Sequence, residues 1–260
     1  MRLCRTILYS SSAGPILYKT QSSISLARGD IMLTMCGRYV SPDEASIERE
    51  FNLVHQEWQF PGSFNVAPTQ SVPVVRIAAD GERSGALMHW GLIPYWAKGV
   101  QPKYSTINAT IEKLTEAATW RGPWSRGQRC ILPAAGFYEW QVQGDGKTKR
   151  PYYITANDQE IFGFAGLWDR SKRDDGSRVE SCTIITMPAS KLMSEIHNAK
   201  QRMPAILARE DRDAWLKGTP DEAFATLKQY ADAHLVATPV STRVNAPKNN
   251  DPTLIEPIAA

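Results

Sequence analysis

The chain has 260 residues, 42% hydrophobic and 22% charged, with eight Trp. This is the composition of a water-soluble globular protein able to bury a core without disulfides, and no run approaches the roughly 18 apolar residues of a membrane helix. The formal charge of +3 resides in residues 1–34, where Arg2, Arg5, Lys19 and Arg28 are opposed only by Asp30. The rest is neutral, which argues against a non-specific cationic DNA coat and requires any nucleic-acid contact to come from a local patch.

Residues 1–34 are Ser-rich and lack the compact apolar stretch of a secretory signal. Their Arg/Ser bias faintly suggests an organellar transit peptide. The plainer reading is upstream sequence preceding the true initiator, Met35, so the leader (1–34) is set apart from a single domain over 35–260. Beyond it, Ser41-Pro42-Asp43-Glu44 offers an N-cap, a proline at N1 and a capping-box acid, predicting a helix over 42–52. Strands are predicted at Val72–Ile77 and Gly85–Leu92, then a helix over 109–119 with Ile111, Leu114 and Ala118 on one face. Further strands follow at Arg129–Pro133, Phe137–Val142, Pro151–Thr155, Ile161–Trp168 and Ser181–Thr186. Gly144-Asp145-Gly146 and Asp174-Asp175-Gly176 supply turn chemistry for two hairpins. A helix from Ser190 carries Leu192, Met193 and Ile196. Helices over 209–217 and 220–232 and a strand at Leu235–Val240 complete the chain. Strands outnumber helices without alternating with them, so the class is α+β, with a largely antiparallel, barrel-like sheet core and flanking helices.

His55, His89, His197 and His234 are scattered, Cys4, Cys36, Cys130 and Cys182 show no metal or disulfide spacing, and no glycine-rich phosphate loop occurs. No metal or cofactor is therefore expected. Cys130 and Cys182 sit in strand-like apolar runs and read as buried small hydrophobes. Cys36 follows Met35 directly. Were methionine removed, Cys36 would carry an α-amine (pKa about 7.7–8.0) beside its thiol (about 8.5). Such a 1,2-aminothiol condenses with an aldehyde and closes a thiazolidine; taken alone, Cys36 reads first as a small buried residue opening a strand. Glu139 lies between Tyr138 and Trp140, where desolvation should raise a carboxyl pKa and suit it to proton transfer. His197, near a helix end, is suited to the same work. Asn108 could act only as a helix N-cap.

Met35-Cys36-Gly37-Arg38-Tyr39, Phe64-Asn65-Val66-Ala67-Pro68, His89-Trp90-Gly91-Leu92-Ile93-Pro94, Ile107-Asn108-Ala109, Gly136-Phe137-Tyr138-Glu139-Trp140 and Ile196-His197-Asn198 through Arg202-Met203-Pro204 occur in this order, with an ending of Val240-Ser241, Val244-Asn245 and Leu254-Ile255-Glu256-Pro257. Together they resemble the SRAP family of abasic-site processing proteins over residues 35–257. The resemblance implies four central residues: Cys36 as cross-linking nucleophile, Asn108 holding the opened sugar, Glu139 as general acid/base, and His197 shuttling protons and assisting reversal. It implies DNA contacts from Arg38, Asn65, Thr186 and Arg202; Trp96 and Trp140 offer rings that could stack on bases, a place in the core being the alternative for both. The implied partner is single-stranded DNA bearing abasic sites, or a strand junction. The implied protein is monomeric, cytoplasmic and nucleoid-associated, acting in the DNA-damage (SOS) response, with weak lyase activity. Two departures stand out. Thr110 replaces an arginine common two residues after the motif asparagine, and the stretch between His197 and Arg202 is longer than in the shortest family versions, leaving Lys200 or Arg202 to compensate.

Two other classes fit part of the pattern. A thiol autopeptidase would use Cys36 to remove its own leader, with His197 as base. A non-catalytic DNA-junction binder would keep its affinity with Cys36 blocked, although the neutral domain argues against it.

Overall fold

The computed structural model describes residues 36–258; the expectations for residues 1–34 and the junction at Met35 lie outside the described residues. Among the described residues there are fourteen strands and five short α-helices, with 3₁₀ turns between them. In chain order the strands are β1 (Tyr39–Ser41), β2 (His55–Glu57), β3 (Ser63–Val66), β4 (Ser71–Ile77), β5 (Arg83–Trp90), β6 (Asn108–Thr110), β7 (Arg129–Ala134), β8 (Gly136–Val142), β9 (Lys149–Ala156), β10 (Phe162–Lys172), β11 (Arg178–Pro188), β12 (Arg202–Pro204), β13 (Ile206–Leu207) and β14 (Leu235–Pro239). The helices are α1 (Glu44–Phe51), α2 (Ala118–Ser125), α3 (Lys191–Ile196), α4 (Arg212–Lys217) and α5 (Pro220–Ala225).

The strands form two sheets. The first runs β14-β9-β8-β1-β3 and is antiparallel throughout. In the second, β11-β10-β7-β4-β5 closes into a ring, because β5 also pairs in parallel with β11 through His89 and Trp90 against Ser181 and Cys182. The expected α+β class with a barrel-like, mostly antiparallel core is what the chain adopts. The ring is packed tightly enough to dictate a glycine: a Cβ on Gly166 would come within 2.5 Å of Leu132 and 2.7 Å of the Thr183 carbonyl. Cys130 and Cys182 are fully buried in this core, as expected.

Side-chain alternation gives the first sheet two different faces. Phe137 and Ile154 join the main core with Tyr39. Val40, Tyr138 and Tyr153 face the other way, into a smaller cluster with Val240, Val244 and Leu254 from the C-terminal segment. Phe-Tyr-Glu-Trp thus sends Glu139 to the side of Phe137 and Trp140 to the side of Tyr138.

Three expected elements differ. The first helix begins two residues late: Ser41 is held in β1 against Ser63, and Asp43 takes over as N-cap by accepting from the Ser46 N–H at 3.0 Å. The helix expected over 109–119 is instead β6 followed by a 3₁₀ turn, with α2 starting at Ala118. Parallel pairing of Asn108, Ala109 and Thr110 with Ile184, Ile185 and Thr186 outweighs the local helical spacing, so Asn108 is a strand residue and not a helix cap. The last helix stops at Ala225; its start is fixed by a capping box between Thr219 and Glu222. Among the described residues no helix is long and apolar enough to cross a membrane.

Candidate active site

Cys36 stands just before β1, and its neighbours are set by strand pairing. Tyr39 lies opposite Phe137, and the Tyr138 N–H donates to the Arg38 carbonyl at 3.0 Å, so residues 36–38 run beside 138–140. This brings the Cys36 backbone nitrogen to 2.7 Å from Glu139 Oε1, to which it donates across 103 residues of sequence. The other carboxylate oxygen, Oε2, lies 3.8 Å from His197 Nε2. Cys36, Glu139 and His197 are 4%, 1% and 2% exposed, so the three groups share one buried recess.

His197 caps the C-terminus of α3, its backbone N–H donating to the Met193 carbonyl at 2.7 Å. Its Nδ1 lies 2.9 Å from the Arg202 carbonyl. A carbonyl only accepts, so Nδ1 carries the hydrogen and Nε2 is the atom turned to Glu139.

Burial is the main cause raising the Glu139 pKa, opposed by His197 and by the hydrogen bonds from Cys36. The Cys36 thiol is pushed well above its ordinary value, first by burial and then by the Glu139 carboxylate, with Arg202 pulling weakly the other way. The resting sulfur is therefore a thiol, and the Cys36 atom hydrogen-bonded to the Glu139 carboxyl is its backbone nitrogen.

The remaining candidates fall into three groups. Asn108 starts β6 beside Ile184, and its side-chain nitrogen is buried without a hydrogen-bond partner. Such an orphaned donor is costly unless something else accepts from it. Arg38, Asn65 and Trp140 all engage the C-terminal segment. Arg38 donates to Asn65 Oδ1 at 2.9 Å and to the Val244 and Asn245 carbonyls; Asn65 Nδ2 donates to the carbonyls of Val244, Ala246 and Asn249; Trp140 Nε1 donates to Asn245 Oδ1 at 2.8 Å. Arg202 forms a bidentate pair with Glu112 at 2.6 and 3.1 Å and donates to the Thr186 carbonyl at 2.7 Å. Thr186 is fully buried, its hydroxyl 3.5 Å from the Ala109 carbonyl. Trp96 lies in a 3₁₀ turn, 48% exposed, with Tyr95 and Tyr104 also exposed nearby in sequence. Lys200 lies exposed on the loop after His197.

Two contributors were not singled out from sequence. Glu112 holds Arg202 from 90 residues away and carries no motif signal. Asn245 lies in the family-like ending, but nothing local marks it as the partner of Trp140 and Arg38. Among the described residues no group of three His, Cys, Asp or Glu is placed to hold a metal ion.

An N-proximal cysteine, a buried carboxyl and an imidazole brought together between a closed ring and an antiparallel sheet define an SRAP-type domain. Residues 35–247 match the family model described as SOS response associated peptidase (SRAP), and the chain belongs to that family. It is similar to the abasic site processing protein YoqW of Bacillus subtilis (strain 168), 40% identical over 228 residues covering 85% of this chain and 99% of the relative. It is also similar to the abasic site processing protein HMCES of Gallus gallus, 32% identical over 234 residues covering 78% of this chain and 68% of the relative. A solved structure of a Bacteroides thetaiotaomicron protein superposes with a TM-score of 0.74 at 26% identity, over 86% of this chain and 100% of that one.

Proposed function

We propose that this protein processes abasic sites in DNA by capturing them covalently, and that the working form begins at Cys36, with residues 1–34 outside the functional domain. The α-amine of Cys36 attacks C1′ of the ring-opened abasic sugar, and loss of water gives an imine. The Cys36 sulfur then adds to the imine carbon and closes a thiazolidine, its proton passing to the former imine nitrogen. Glu139 takes the amine's proton and returns it to the departing hydroxyl, with His197 as its relay. A β-elimination from the imine would give weak lyase activity. Asn108 offers its unpartnered amide to the opened sugar, and exposed Trp96 offers a stacking surface to single-stranded DNA or a junction.

The observation that carries this reading is the 2.7 Å contact between the Cys36 nitrogen and Glu139. A second supports the free terminus. Cys36 has φ 42°, the left-handed region that costs a non-glycine residue about 1–2 kcal/mol. That cost comes partly from the preceding carbonyl oxygen, which is gone once residue 36 is first. The names of the relatives agree with the substrate class. The test is to incubate Met35-start protein with uracil-excised single-stranded DNA and read the adduct by gel shift and intact mass. A stable adduct of the Cys36→Ala variant would refute the thiazolidine.

The same contact also favours a second reading, the autopeptidase: the nitrogen beside Glu139 is the leaving group of a Met35–Cys36 cleavage. N-terminal sequencing separates the two, since leader loss that disappears with Cys36→Ala supports self-cleavage.

A further inference from the structure

We infer that Asn198 is a positioning residue for the Glu139–His197 pair, an inference that rests on the proposed reaction. Glu139 belongs to β8, and His197 to the end of α3. Their 3.8 Å separation is therefore set across a boundary between two elements. Three hydrogen bonds tie that boundary close to the pair. Gln141 Nε2 donates to the Glu195 carbonyl at 3.0 Å. The Val142 N–H donates to Asn198 Oδ1 at 3.0 Å, and Asn198 Nδ2 donates to the Val142 carbonyl at 2.9 Å.

The strand geometry explains why a carboxamide is needed. The Gln143 N–H donates to the Thr148 carbonyl, so in the antiparallel ladder the odd residues of β8 bond to β9 and the even ones turn to the opposite edge. Tyr138 uses that edge to reach Arg38. Further along that edge, at Val142, the Asn198 side chain supplies the acceptor and donor of a peptide group. Cys36, Glu139 and the Asn198 clamp thus lie along one stretch of β8, with the clamp about 10 Å beyond Glu139. Asn198 adjoins His197 directly. The rest of its loop folds back on the same residue, the Lys200 and Gln201 N–H groups both donating to the His197 carbonyl. The longer stretch between His197 and Arg202 thereby becomes a brace.

The test compares wild type, Asn198→Ala and Asn198→Asp as Met35-start proteins. Cross-linking to abasic single-stranded DNA is timed from pH 4.5 to 8, and the ¹⁵N shifts of the His197 ring are recorded in the free protein. Misplacing catalytic groups by a fraction of an ångström is expected to slow cross-linking about tenfold in Asn198→Ala and to move the ring shifts. Aspartate lacks the donor when ionised and regains it when protonated. Asn198→Asp should therefore match the alanine variant at pH 8 and return toward wild type as pH falls. Wild-type rates and ring shifts in Asn198→Ala would overturn the inference, as would two variants slowed equally at every pH with the His197 signals unmoved. If wild type itself forms no adduct, the proposed reaction fails, and the ring shifts still decide whether Asn198 places His197.

Discussion

Replacing Glu139 with glutamine separates its proton chemistry from its geometry. The amide keeps an oxygen for the Cys36 N–H, now 2.7 Å away, and nearly the same volume in a recess where Glu139 is 1% exposed. It loses the ability to accept a proton and the charge facing His197. A positioned acid/base group is worth about 10²–10⁴ in rate, or about 3–5 kcal/mol of barrier, and the loss should fall on the imine-forming step, measured by quenched-flow trapping on abasic single-stranded DNA. The same substitution has a signed effect on stability. Burial raises the Glu139 pKa above its unfolded value. Its linked stability is therefore complete below an unfolded pKa of about 4.3 and is lost as pH rises through the folded value. Glutamine escapes that loss, so the melting temperature of Glu139→Gln minus that of wild type should grow more positive from pH 4 to pH 8. A cross-linking rate within threefold of wild type at every pH would refute the catalytic assignment, and a melting difference that stays flat would refute the desolvated carboxyl.

Cys36→Ser keeps the α-amine and loses the ring-closing sulfur. It should give an adduct that survives denaturing gels only after borohydride reduction, whereas wild type needs no reductant. Asn65→Ala strips partners from the carbonyls of Val244, Ala246 and Asn249 and from Arg38; at about 2–3 kcal/mol it should lower the melting temperature by roughly 4–12 °C in calorimetry. Trp96→Ala removes an exposed side chain and should leave melting unchanged. It should weaken single-stranded DNA binding by about 1–3 kcal/mol in anisotropy titrations.

Much of this arrangement is legible in the sequence where it depends on local alternation. Phe137-Tyr138-Glu139-Trp140 alone tells that Glu139 and Trp140 part to opposite faces, and the two hairpin turns are read from their glycines, with Gly146 at φ 67° and Gly176 at φ 84°. Pairings between distant segments are not legible in that way. Ile111 and Leu114 show helical spacing, yet the segment is a strand and a 3₁₀ turn because β11 offers it a parallel edge. The meeting of Cys36, Glu139 and His197 follows from the order of the family-like motifs and not from any spacing. The closure of the ring through β5 and β11, and the carboxylate of Glu112 behind Arg202, have no local signature at all.

The C-terminal segment carries an implication for biosynthesis. Arg38 bonds to Val244 and Asn245, 206 and 207 positions downstream, and Asn65 reaches Asn249. Synthesis proceeds from the N-terminus at about 5–20 residues per second. The cysteine therefore emerges from the ribosome first, while the strap that secures its strand is made among the last residues. For tens of seconds the nascent chain holds Cys36 outside the enclosure that later buries it.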